Sequence, residues 1–268
     1  MDSALPVMDH TAGLGTSTWV IAKRGILKFL RTPQLVLLGS IQGALFLLIF
    51  RYVFGGAIGV DGVGYVDFLV PGFVATSVLF IRMGAAIGVA EDLEQGLVDR
   101  LRSLPIPRSA VLGGRALADT VELVQGLIVT SAVGFAVGFR IHGSVVEALT
   151  AFALLVAFGF AIEWLFITLG TLAGNPQAAQ GFALLVFPLT FVSSAYVPVE
   201  TMPTWMQGFA QNQPITYLVD AVRALTLGDT AGQILVHDAG WYVLRSLLWA
   251  AGIVAVFAPI AIMRFRRG

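Results

Sequence analysis

The sequence predicts an all-α integral membrane protein with six transmembrane helices. Three observations predict it. Hydrophobic side chains make up 57% of the 268 residues and charged ones only 12%, about half the charged share of a soluble domain. Mean hydropathy is +0.86. Apolar residues gather in windows long enough to cross a bilayer, roughly 20 residues each, and the basic residues fall unevenly between the loops.

Residues 1–15 are expected to form a disordered cytoplasmic tail, with too short an apolar run for a secretory signal. Residues 16–32 read as an amphipathic interfacial helix. Lys23, Arg24, Lys28 and Arg31 share an arc of about 140°, and Trp19, Ile26, Phe29 and Leu30 occupy another. Two readings stand for it: an anchor on the inner leaflet, and a contact for a cytoplasmic partner. Residues 33–268 form one six-span domain. Spans are expected at about 34–54, 65–90, 116–139, 145–173, 177–197 and 241–263. From Ala148 to Val199 the one charge is Glu163, and Gly174-Asn175-Pro176 divides that stretch, because proline lacks a backbone donor.

The positive-inside rule sets the orientation. Lys23, Arg24, Lys28, Arg31, Arg100, Arg102, Arg108, Arg115, Arg264, Arg266 and Arg267 lie on one face. Arg51, Arg140, Arg223 and Arg245 lie on the other, and Arg82 is inside a span. The chain is thus expected in the cytoplasmic (inner) membrane, multi-pass, with both termini cytoplasmic.

Two connections are more than simple links. Between spans two and three, Glu91, Asp92, Glu94 and Asp99 accompany a leucine stripe at 93, 97, 101 and 104, one face of a helix. Pro105 and Pro107 end it. Acids at its start and arginines at its end suit a helix dipole. A helix outside the membrane is expected over Glu91–Leu104, dipping into lipid or docking a cytoplasmic protein. Before span six, Pro203, Trp205, Met206 and Phe209 suggest one short helix, and Pro214 to Leu225 a second. Both are too short to span. They read as outer interfacial or re-entrant half-helices, either capping the pathway or anchoring at the interface, with an Asp220–Arg223 contact on the second.

An acidic helix with Leu104-Pro105-Ile106-Pro107-Arg108 after the second of six spans resembles the permease subunit of a type-2 ABC exporter. So do Pro198, Pro203, Trp205 and Met206, followed by Asn212, Pro214-Ile215-Thr216-Tyr217, Asp220 and Arg223. The resemblance covers about residues 19–266 and is greatest to permeases of the daunorubicin-resistance type. Gln213 stands between Asn212 and Pro214, where many members have Asn directly before Pro.

The resemblance implies two permeases, this chain with a second copy or a sister, and two ABC ATPase subunits that bind ATP-Mg. It implies that Glu91, Asp92, Glu94, Gln95, Leu97, Asp99, Leu101, Arg102, Pro105 and Arg108 belong to a coupling helix. It implies an outer cap of Pro203, Trp205, Met206, Phe209, Asn212, Pro214, Tyr217, Asp220 and Arg223. The cargo is expected to be hydrophobic or amphipathic, drug-like or lipid-like, and to move outward. The competing reading is an ion-coupled secondary transporter, whose family often shows internal repeats.

Exclusions sharpen the expectation. There is no cysteine, hence no disulfide or thiolate chemistry. No G-x-x-x-x-G-K-[ST] occurs, so this chain holds no P-loop nucleotide, and it is not expected to be an enzyme or to bind a cofactor or metal itself. Balanced charge, 16 basic and 16 acidic, gives no field for nucleic acid. Membrane lipid is the remaining expected partner. Arg82, Glu122 and Glu163 sit at membrane depth, where charges pair or line a wet path. An Arg82–Glu122 pair is expected, fixing packing or serving the pathway. Gly-x-x-x-Gly pairs at 39/43, 84/88, 134/138 and 170/174 are expected to pack spans together.

Overall fold

The computed structural model describes residues 13–31, 45–56, 62–96 and 108–267. The described residues are helical, with no strand. The helices are α1 (Leu14–Leu30), α2 (Leu45–Phe54), α3 (Tyr65–Glu94), α4 (Arg108–Ala136) and α5 (Val145–Ala173). They continue as α6 (Pro176–Leu184), α7 (Phe187–Phe191), α8 (Thr204–Asn212), α9 (Pro214–Leu227) and α10 (Ala239–Arg267). Four of them, α3, α4, α5 and α10, are long and apolar enough to cross a membrane. The first half of the first expected span lies outside the described residues, and α2 is its apolar second half.

Helix boundaries follow local chemistry. Ser144 and Glu147 form a capping box at the start of α5: the Glu147 amide donates to Ser144 Oγ at 3.2 Å, and the Ser144 amide to Glu147 Oε2 at 2.7 Å. Gly174 ends α5 in the left-handed region, φ +76°. Asn175 Oδ1 then accepts from the Ala178 amide at 2.8 Å and Pro176 opens α6. The break expected at these three residues is present.

The fifth expected span, 177–197, is not one helix. It divides into α6 and α7 and leaves helical geometry after Phe191. Pro188 removes one backbone donor. Thr190 Oγ1 donates to Phe187 O, and Ser193 Oγ to Thr190 O, so side chains take carbonyls that a helix would use.

Helix α3 is the hub, packed against α4, α5, α6 and α9. Its residues Phe68 to Leu79 are all buried, together with Leu123, Leu127, Phe158 and Phe166 from α4 and α5. Close backbone approach supports this packing, as expected between membrane helices. A Cβ on Gly170 would lie 2.4 Å from Ala86 O. Of the expected glycine pairs, 39/43 lies outside the described residues, and the other three do not act as pairs. Gly84 faces open space, while Gly138 and Gly174 serve turns at positive φ.

Helix α1 starts at Leu14 and lies along α4. Gly25 meets Ala118, and Gly114 meets Ile21. Its Trp19, Val20 and Leu30 remain exposed.

Helix α9 is buried more completely than an interfacial half-helix would be. Every residue from Ile215 to Leu227 is buried, against α3, α5 and α10. It is a core element that does not span.

Candidate functional site

Two polar constructions stand at opposite ends of α3. At its Phe68 end, Arg223 of α9 forms a clasp. Its Nε donates to Phe68 O at 3.0 Å, its Nη1 to Asp220 Oδ1 at 3.2 Å, and its Nη2 to Ser194 O at 2.6 Å and Ala195 O at 3.0 Å. The guanidinium also lies 3.7 Å over the Phe68 ring. Asp220 Oδ1 accepts from Ser194 Oγ at 2.7 Å. A buried charge is tolerable when its hydrogen-bonding groups are matched, and here arginine joins α3, α9 and the segment after α7. The Asp220–Arg223 contact read from spacing is therefore present.

Two residues complete the clasp that sequence reasoning gave no role. Gly72 lets the chain pass: a Cβ there would lie 2.2 Å from Ala195 O and 2.9 Å from Arg223 Nη2. Gln213 is buried and donates its amide to Leu189 O at 3.0 Å and to Val192 O. It satisfies carbonyls left over where α7 ends. Its place between Asn212 and Pro214 was the available signal.

The other expected cap residues divide. Pro203 precedes α8 as its N-cap, Trp205 and Phe209 are 80% and 54% exposed, and Met206 is half-buried. Tyr217 is buried, donates to Asn212 Oδ1 at 3.2 Å, and packs on Trp241 with ring centres 5.6 Å apart. Pro214 opens α9. A cavity of about 770 Å³ lies beside the clasp, lined among others by Glu200, Tyr217, Arg223, His237, Trp241 and Arg245.

Deeper along α3, Arg82 Nη1 pairs with Glu163 Oε2 of α5 at 3.0 Å, and both side chains are shut off from solvent. This corrects the expected Arg82–Glu122 pair. Depth along the helices suits either acid, but rotation decides. Val78, Arg82 and Ala86 form one stripe of α3, and Val78 and Ala86 flank the pair by touching Gly159 and Gly170 of α5. Glu163 lies on that same glycine face. Glu122 is left exposed on α4. Among the described residues, Arg82 Nε and Nη2 have no hydrogen-bond partner.

At the far end of α3, the expected separate helix over Glu91–Leu104 does not begin at Glu91. Glu91, Asp92 and Glu94 are the last turn of α3, Gln95 caps it, and Gly96 has φ +66°. The acids thus stand at a helix C-terminus, the unfavourable end of its dipole. Arg115 of α4 offsets this by pairing with Asp92, and with Asp119 at 3.5 Å. Leu97, Asp99, Leu101, Arg102 and Pro105 lie outside the described residues, and Arg108 begins α4.

Comparisons with known proteins agree with these features. Residues 16–227 match the family described as ABC-2 type transporter. The chain is 34% identical to the daunorubicin resistance ABC transporter permease protein DrrB1 of Streptomyces coeruleorubidus, over 91% of this chain and 83% of that protein. It is 31% identical to the probable doxorubicin resistance ABC transporter permease protein DrrC of Mycobacterium tuberculosis, over 68% of this chain and 66% of that protein. It is also 26% identical to the inner membrane transport permease YadH of Escherichia coli, over 84% and 93%.

Proposed function

The chain belongs to the ABC-2 type transporter family, and from that membership we propose that it is the permease subunit of an ATP-driven exporter. It carries a hydrophobic or amphipathic, drug-like or lipid-like molecule outward across the cytoplasmic membrane, with both termini cytoplasmic. Two separate ATPase subunits bind ATP-Mg, and a second copy or a sister permease completes the pathway. The observation that carries this reading is the family match over residues 16–227, joined to relatives named for drug resistance.

The geometry supports a division of labour. Glu91, Asp92, Glu94, Gln95 and the link through Leu97, Asp99, Leu101, Arg102, Pro105 and Arg108 face the ATPase. The Arg115–Asp92 pair ties the last turn of α3, from which that link departs, to α4. Arg82, Glu122 and Glu163 supply polarity along the path, Glu122 being the exposed one. Helices α8 and α9 close the outer end.

The test is co-purification with the P-loop ATPase encoded nearest to this permease, then transport by the pair in inverted vesicles. ATP-dependent accumulation of a fluorescent amphipathic cargo, abolished by an inactive ATPase, is the expected result. Accumulation driven by an ion gradient with no ATPase present overturns the reading.

A further inference from the structure

The 770 Å³ cavity beside the clasp has charged lining groups of two kinds. Asp220 and Arg223 are committed to each other, to Ser194 and to backbone carbonyls. Arg245 and Glu200 are not: among the described residues neither side chain forms an ion pair or a hydrogen bond. Arg245 belongs to α10, a helix apolar and long enough to cross a membrane. It lies six residues beyond Ala239, about 9 Å along the helix. An arginine at such a position seeks an anion or snorkels toward the interface, and this one, itself exposed, lines the cavity with its guanidinium over the Trp241 ring at 5.0 Å.

The same wall carries His237, stacked on Trp241 at 4.0 Å. The first turn of α10 adds the positive end of its dipole. Base, imidazole and helix end therefore converge beside one indole. Glu200 brings a carboxylate from the Val199–Thr201 turn to the same cavity.

We infer that this cavity is a binding site for a zwitterionic phospholipid headgroup, with its phosphate held by Arg245 and His237 and its ammonium by Glu200. The volume falls within the usual range for a small-ligand site. Arginine matches a phosphate in charge and in the spacing of its donors. A headgroup carrying only negative charge meets repulsion from Glu200. The site shares Asn212, Tyr217, Asp220 and Arg223 with the outer cap, but a test of binding alone needs no cargo and no ATPase.

The delipidated full-length protein in detergent is mixed with phosphatidylethanolamine, with phosphatidylglycerol, or with inorganic phosphate, and bound molecules are counted by native mass spectrometry. One phosphatidylethanolamine per chain is expected to survive activation, in preference to phosphatidylglycerol. Arg245→Gln weakens retention about tenfold or more, the loss of a charge-assisted contact, and Arg245→Lys restores part of it. Glu200→Gln keeps phosphatidylethanolamine bound but removes its advantage over phosphatidylglycerol. A size-exclusion profile like that of the natural chain shows that each variant is folded. Equal retention by Arg245→Gln overturns the site, since the lipid is then annular. Displacement of the lipid by inorganic phosphate overturns the headgroup assignment, since the site then takes a free phosphate.

Discussion

Arg82 of α3 and Glu163 of α5 meet at 3.0 Å with neither side chain reaching solvent. Both stand between Gly159, packed under the Val78 side chain, and Gly170, packed against the Ala86 backbone, so neither can withdraw toward water.

Removing one partner is therefore costly. Glu163→Ala or Arg82→Ala alone should lose about 3–5 kcal/mol, because each strands a buried charge. Replacing both by leucine should recover most of that loss. Thermal unfolding of purified protein measures this, and efflux by the double variant separates packing from pathway. Export that falls while stability recovers assigns the pair to the path. Export that follows stability assigns it to packing.

Gly72→Ala should disturb the clasp, since the new methyl meets Ala195 O and the Arg223 guanidinium. A cost of about 1–3 kcal/mol is expected for such overpacking. Gly84→Ala, a position facing open space, should be silent. Fluorescence-detected size exclusion after a heating series compares the two, and equal melting would show that the backbone at Gly72 yields freely.

Leu97→Asp should uncouple ATP hydrolysis from transport while leaving membrane insertion intact, since apolar anchors usually dominate an interface. Arg115→Ala should act in the same direction by releasing Asp92 from α4. Measured ATPase turnover alongside efflux decides it, and normal export by both variants would remove the α3–α4 link from coupling.

The chain contains no cysteine, so single cysteines report cleanly. An impermeant thiol reagent applied to intact cells should label positions 61 and 205 and spare 10 and 267. The reverse pattern inverts the topology.

Cysteines at Trp205 or Phe209, the exposed aromatic positions of α8, test the cap. If α8 closes the exit, cross-links between two subunits should block export and a reducing agent should restore it. Export that continues through the cross-link makes these aromatics interfacial anchors.

Much of this arrangement was legible from the residues. Apolar windows gave α3, α5 and α10, and Gly174-Asn175-Pro176 gave a helix break with its caps. Spacing gave the Asp220–Arg223 contact. The partner of Arg82 was hidden because counting residues yields depth but not rotation about the helix axis. Here rotation is set by Gly159 and Gly170, whose role emerges only when α3 is laid against them. The start of the α3–α4 link was misplaced for a related reason. Acids suit a helix beginning, yet Arg115, from the following helix, makes them tolerable at an ending. The importance of Gln213 lies in carbonyls of Leu189 and Val192 more than twenty residues away, beyond the reach of local spacing.

The full burial of α9 bears on how the chain is made. At 14 residues it is about 21 Å long, short of the roughly 30 Å hydrocarbon layer, and one of its walls is α10. A ribosome delivers α9 before that wall exists. During synthesis the nascent helix, with Asp220 and Arg223 on it, therefore has to wait at the membrane surface until the last span enters and shuts it in. Chains that stop before Ala239 are left with an unhoused charged helix, a mark by which membrane quality control can tell unfinished copies from finished ones.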